Sequence, residues 1–240
     1  MKALWIYICL CCFVLCPLQA QQDSNRLAAP LLLEVGLSAN AYRGDLATYE
    51  FWAPAFQLGL KFNRHRRWNS HFNLGIGRLQ GQNFAYEFNE SARPNLYFRT
   101  GFFSFQYDLQ YHFVKNQHWQ LYLSQGVGFL RFTPRNEEGL KLQDVLSSRA
   151  PFEEYANIAL MFPTSLGLAY LLPNGYGLGA QLSFWNTSTD YLDNISAWGS
   201  RAGNDNVFSF KCSLIVPLSK KRKSTAERPE EQPEEQEYTR

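Results

Sequence analysis

The sequence predicts an all-β protein: an eight-stranded antiparallel up-and-down transmembrane β-barrel with short periplasmic turns and long extracellular loops. Three observations predict it. Apolar and polar residues alternate with period two over eight segments, each about as long as a tilted membrane strand. One face of every segment is large and apolar, and the other is Gly, Ser, Gln and occasional charge. The connections between segments alternate short and long, as in barrels whose two rims face different compartments.

The chain begins with Lys2, an apolar run over 3–18, and Ala20 before Gln21 and Gln22. That is the pattern of a secretory signal peptide over 1–20, cleaved after Ala20. The run is shorter than the roughly 20 residues of a spanning helix. Leu15, not a small residue, precedes Cys16, which speaks against a lipoprotein. Removal of the leader takes Cys9, Cys11, Cys12 and Cys16 with it. Cys212 then remains alone, unable to form an internal disulfide or a metal cage, and reads as a small apolar side chain on a strand.

A linker over 21–29 leads to the barrel at 30–218. No helix-length apolar run follows the leader, so the route into a membrane is a barrel, and export with a barrel implies a Gram-negative outer membrane and contact with its lipid. Aromatic residues make up 16% of the chain. Its 23 basic residues nearly balance 21 acidic ones, which excludes the basic footprint of a nucleic-acid binder.

Strands are expected near 31–42, 54–64, 69–82, 100–114, 118–132, 160–171, 176–188 and 206–217. The second sets Phe56, Leu58, Leu60 and Phe62 against Gln57, Gly59 and Lys61. In the fourth, Phe103, Phe105, Tyr107, Leu109, Tyr111 and Phe113 alternate with Ser104, Gln106, Asp108, Gln110 and His112, a sorting no helix produces. The seventh opposes Leu178, Ala180, Leu182 and Phe184 to Gly179, Gln181 and Ser183. The eighth opposes Phe208, Phe210, Cys212 and Leu214 to Ser209, Lys211 and Ser213.

A soluble barrel also alternates, but it places many Lys and Glu residues outside. Here the polar face holds few of either. Small hydrogen-bonding side chains suit the narrow interior of a closed eight-stranded barrel, while Phe, Tyr and Leu suit lipid. The connections after the second, fourth and sixth strands are short, and those after the first, third, fifth and seventh are read as long. Trp68, Trp119, Tyr170 and Tyr176 by the short turns, and Tyr42, Trp52, Phe84, Tyr86, Tyr97, Phe132, Trp185 and Tyr191 by the long loops, are expected to form two interfacial girdles.

The inward set includes Glu34, Lys61, Asp108, His112 and Lys211. Closure puts the first strand between the second and the eighth, so Glu34 is expected between Lys61 and Lys211 as part of a salt-bridged plug. The rival reading is an ion or proton path. All four histidines (His65, His71, His112, His118) fall at or near the short turns, away from the outer rim where a lipid-modifying barrel enzyme would act. No catalytic, metal or cofactor motif is present, and no enzyme is expected. Gly75, Gly77, Gly126 and Gly128 read as relief of crowding in the lumen.

The loop after the seventh strand holds Asp190 and Asp193, with Asp205 further on. They read as turn chemistry, with a divalent cation as the alternative. Thr189-Asp190-Tyr191-Leu192-Asp193, followed by Ile195-Ser196, resembles the Thr-Asp-Tyr-Leu-Asp-Asp-Val-Ser signature of a Bacteroidota outer-membrane β-barrel family that includes the type IX secretion component PorG. Asn194 departs from the second Asp of that pair. Ala41-Tyr42-Arg43-Gly44-Asp45-Leu46, Phe98-Arg99 and the run 126–134 also resemble the family's pattern, so the likeness spans about 30–217. It implies a non-enzymatic role in type IX secretion: a barrel that associates with a periplasmic ring or translocon and anchors it to the outer membrane. It offers no catalytic residues. A small solute or ion pore is the alternative function, and a lipid-modifying enzyme ranks behind it. The tail over 219–240, basic and then acidic, is expected to be disordered in the periplasm and to suit either docking or simple solvation.

Overall fold

The computed structural model describes residues 29–85, 94–199, 201 and 203–218. The leader, most of the linker and the tail lie outside them. Eight antiparallel strands close into one barrel in sequence order. They are β1 (Leu31–Arg43), β2 (Thr48–Phe62), β3 (Trp68–Gln82), β4 (Tyr97–Lys115), β5 (Trp119–Arg135), β6 (Ile158–Leu171), β7 (Gly177–Thr187) and β8 (Asn206–Pro217). Closure is direct, since Val35 of β1 pairs with Leu58 of β2 on one side and Leu214 of β8 on the other. No sheet edge is left to satisfy within a bilayer.

Alternation of exposure runs unbroken through most of β4 and β6, as one lipid face and one lumen face require. The outer face is apolar: Leu37 is 68% exposed and Phe129 55%, with Phe103, Phe105, Leu166, Leu178 and Leu214 beside them. That much exposed hydrocarbon is stable only against lipid tails. On β4 the band runs from Phe113 to Phe103, roughly 25 Å at ordinary strand rise and tilt. Trp68, Trp119, Tyr170 and Tyr176 are half-exposed at its periplasmic edge.

Two expectations are corrected. The first connection is not long: β2 starts at Thr48, and residues 44–47 form a tight turn closed by Gly44 N–H donating to Ala47 O at 3.1 Å. Above the Ala55–Gly77 pair, β2 keeps β1 as its partner but leaves β3, so Pro54 sits on a locally unpaired flank where a missing N–H is tolerated. The upper girdle is also smaller than expected. Trp52 and Phe84 are exposed, but Tyr42 (0%), Phe132 (0%) and Trp185 (2%) face the interior. Each shares parity with inward residues of its own strand: Ser38 and Asn40 for Tyr42, Leu130 for Phe132, Ser183 for Trp185. Tyr86 lies outside the described residues.

The interior has three levels. A periplasmic seal is built from Ala29, Leu32, Ala169, Leu171 and Ile215. The middle is polar, with Glu34, Gln57, His71, Asn73, Gln106 and Asp108 buried in it. The extracellular part is an apolar core in which Leu79, Phe98, Phe102, Leu130, Phe132 and Met161 pack with Leu142, Leu192 and Ile195 from the loops. Leu142 belongs to the first of two single-turn 3-10 helices, Leu142–Asp144 and Leu146–Ser148, in the β5–β6 loop.

Candidate functional site

The polar middle of the lumen is organised around Glu34. Its Oε1 lies 3.2 Å from Lys211 Nζ of β8 and accepts Ser213 Oγ–H at 2.6 Å. Its Oε2 lies 3.3 Å from His71 Nε2 of β3, whose Nδ1 stands 3.2 Å from Asp108 Oδ2 of β4. Gln106 donates to the same Asp108 oxygen at 2.9 Å. Four strands are thereby joined across the barrel by one chain of charge-assisted contacts, all buried. Charges this far from water persist because each meets an opposite charge or a donor.

Lys61 and His112 point into the lumen but stand apart from Glu34. Lys61 donates to Gln120 Oε1 at 3.1 Å, with its ammonium 4.3 Å from the centre of the Tyr122 ring. His112 Nδ1 lies 3.2 Å from Asn69 Nδ2 and 3.3 Å from Arg67 O. Occupancy rather than register explains the displacement of Lys61, since Lys211, opposite Ser38 and so further from Glu34 in the pairing, still reaches it. Glu34 pairs across from Gly59, while Lys61 stands opposite Leu32. The space beside Glu34 is filled by His71: a Cβ added at Gly59 would run into His71 Nε2. Gly126 does the same for Asp108 Oδ1. His71 is thus the member sequence reasoning missed, having been assigned to the short turns. Its parity with Asn69 and Asn73 was the available signal.

The second constellation caps the extracellular mouth. Here the loop after β7 folds inward at Leu192, Asp193 and Asn194, which are buried, while Thr189, Asp190 and Tyr191 before them are half-buried. The Tyr42 hydroxyl lies 2.6 Å from Asp193 Oδ2 and 2.8 Å from Asp205 Oδ1, and accepts the Asp45 N–H at 3.1 Å. Ile195 N–H donates to Asp193 Oδ1 and Leu192 N–H to Asp205 Oδ2. One hydroxyl has one proton, so Tyr42 donates to one carboxylate and accepts from the other, which must be protonated. Burial pushes Asp193 up to about 8 and Asp205 well above the usual carboxylate range. Asp190, half-buried, is pushed to about 6.

Asn194 occupies the left-handed region with φ 75°. Its Oδ1 accepts from Tyr155 Oη, and its Nδ2 donates to Asn95 Oδ1 and Ser148 Oγ. Tyr191 stacks on Tyr155 at 4.6 Å and donates to Glu153. The motif residues therefore make loop and turn bonds. The carboxylates of Asp193 and Asp205 are taken up by Tyr42 and backbone N–H groups, and among the described residues no three His, Cys, Asp or Glu side chains converge as a metal site.

No protein-family profile matches the chain, and no curated protein matches its sequence. Solved barrels are similar in layout. Ail, the attachment invasion locus protein of Yersinia pestis, is 11% identical with a TM-score of 0.47, over 79% of this chain and 100% of that one. Neisserial surface protein A is 11% identical at 0.48, over 80% and 99%. The outer membrane enzyme PagL is 14% identical at 0.38, over 77% and 99%. All three likenesses are too distant to bear on what this chain does.

Proposed function

We propose that the protein is a non-enzymatic barrel of a Gram-negative outer membrane that anchors a periplasmic assembly, acting as a PorG-like component of type IX secretion. The observation that carries the reading is a lumen filled at every level: seal, ion-paired middle and apolar plug. A filled barrel has no path for solute and works through its surfaces. His65 and His118 lie by the periplasmic turns and His71 and His112 in the polar lumen, which disfavours histidine chemistry at the outer rim. At the periplasmic rim, Arg64, Arg66 and Arg67 stand exposed in the β2–β3 turn, suited to an acidic partner surface.

Affinity purification of the full chain from its native cells in mild detergent tests the reading. Ring or translocon subunits should co-purify, and charge reversal at Arg64, Arg66 and Arg67 should reduce them. A preparation free of such subunits would sink it. Planar-bilayer recording tests the pore alternative: sustained conductance that changes on Glu34→Gln or Lys211→Met would overturn the closed lumen. Altered lipid A on deleting the gene would favour the enzyme reading instead.

A further inference from the structure

Four arginines gather on the outer face of three adjacent strands. Arg78 of β3, Arg99 of β4, and Arg131 and Arg135 of β5 all share parity with the lipid-facing residues of their strands. Pairing puts Arg78 opposite Gly101, Arg99 opposite Arg135, and Arg131 opposite Phe103. Ile76 lies directly below Arg78 and Phe129 directly below Arg131 towards the membrane, and Phe103 pairs with Arg131; all three are exposed and apolar. The arginines therefore begin where the hydrocarbon band ends, at headgroup depth.

Three features make this more than a rim of ordinary charge. Among the described residues none of the four forms an ion pair, since the salt bridges found all lie in the lumen. A surface groove of about 760 Å³ lies on the patch, with all four arginines, Ala53 and Pro54 among its lining residues, where β2 parts from β3. Gly101 also lines it, and an added Cβ there would meet nothing within 4 Å. The opposite side of the barrel differs: the outward upper residues of β6, β7 and β8 are Ile158, Asn186, Asn206 and Phe208, with no cation.

We propose that this face is a binding site for a phosphorylated, multi-acylated lipid of the outer leaflet. Guanidinium groups match phosphate oxygens with paired N–H donors, and two strand spacings, about 10 Å, separate β3 from β5, room for more than one phosphate. The acyl chains descend along Ile76, Phe103 and Phe129, while the Gly101 notch admits the headgroup. The site needs only the membrane-spanning barrel and is independent of the anchoring role.

The test uses the full chain purified in non-ionic detergent, with native mass spectrometry after adding diphosphoryl lipid A, phosphatidylethanolamine or inorganic phosphate. Diphosphoryl lipid A should be retained in preference to phosphatidylethanolamine. The variant R78Q/R99Q/R131Q/R135Q should lower its retention by at least about tenfold, given what clustered cations contribute at a lipid surface. Gly101→Leu, which changes no charge, should lower it too. Heat-modifiability on gels verifies that both variants fold. Equal retention of the two lipids, retention unchanged in both variants, or displacement of lipid A by an equal concentration of inorganic phosphate would each overturn the proposal.

Discussion

The two halves of the lumen are closed by opposite means. Above the apolar periplasmic seal, Glu34, His71, Asp108 and Lys211 hold one another through charge-assisted contacts. Towards the outside, Phe98, Phe102, Leu130, Phe132 and Trp185 simply fill space. A polar network depends on each partner, because removing one leaves another charge buried and unpaired. An apolar core depends on volume and tolerates changes of identity. The polar part also keeps buried side-chain atoms with no protein partner, such as Asn73 Oδ1 and Gln110 Oε1.

The largest effect that separates the halves is expected from Glu34→Ala. It strips Lys211 and His71 of a shared carboxylate and should cost about 3–5 kcal/mol, measured by urea unfolding in micelles. A loss under about 1 kcal/mol would mean that water screens the network and that the polar half is no plug.

Next comes Gly59→Ala. The added methyl group meets His71, and overpacking of this kind costs about 1–3 kcal/mol. His71→Ala in the same chain should give back part of that loss, so the double variant is more stable than the sum of the singles implies. Strict additivity would show that the glycine does not make room for the histidine.

How much of this was legible in sequence follows from the same contrast. The lipid face is read by composition, because a bilayer demands large apolar residues at every second position of Phe103 to Phe113 whatever their neighbours are. The interior is read only by parity and register. Tyr42, Phe132 and Trp185 look like girdle residues by type and by their place at strand ends, yet parity turns them inward. The start of β2 escaped because Tyr49, Phe51 and Trp52 blur the alternation ahead of Pro54. That Lys61 misses Glu34 depends on His71 filling the space opposite Gly59, which the alternation does not specify. The mouth joins Tyr42 to Asp193 and Asp205 across 151 and 163 positions, with no local signal at either end.

The mouth also supplies a pH dependence that the apolar plug beneath it lacks. The folded loop holds the proton shared under Tyr42, with Asp193 at about 8 against an ordinary value of 3.8. A raised carboxyl pKa stabilises the folded loop fully below the unfolded value, and that contribution is lost as pH rises towards about 8. Loop opening should therefore grow by up to about tenfold per pH unit within that window and then level off. Protection of the Leu192 and Ile195 amides, corrected for intrinsic exchange, reports it. Asp193→Asn supplies a permanent donor to Tyr42 and should flatten the profile; an unchanged slope would assign the proton elsewhere.

The smallest effect is expected from Leu130→Met in the plug. The swap nearly conserves volume, leaves no polar atom to satisfy, and should cost less than about 1.5 kcal/mol. Lys211→Met sets the scale in the other half. It too puts an apolar chain of similar length in the lumen, yet it leaves Glu34 without its ammonium partner and should cost clearly more, because the penalty is set by the charge left behind rather than by the cavity. Equal losses for the two variants would mean that packing volume governs both halves and that the ion pair adds nothing specific. A larger loss for Leu130→Met would mean that the plug, fully buried at Leu130, is fitted too tightly for a flexible side chain.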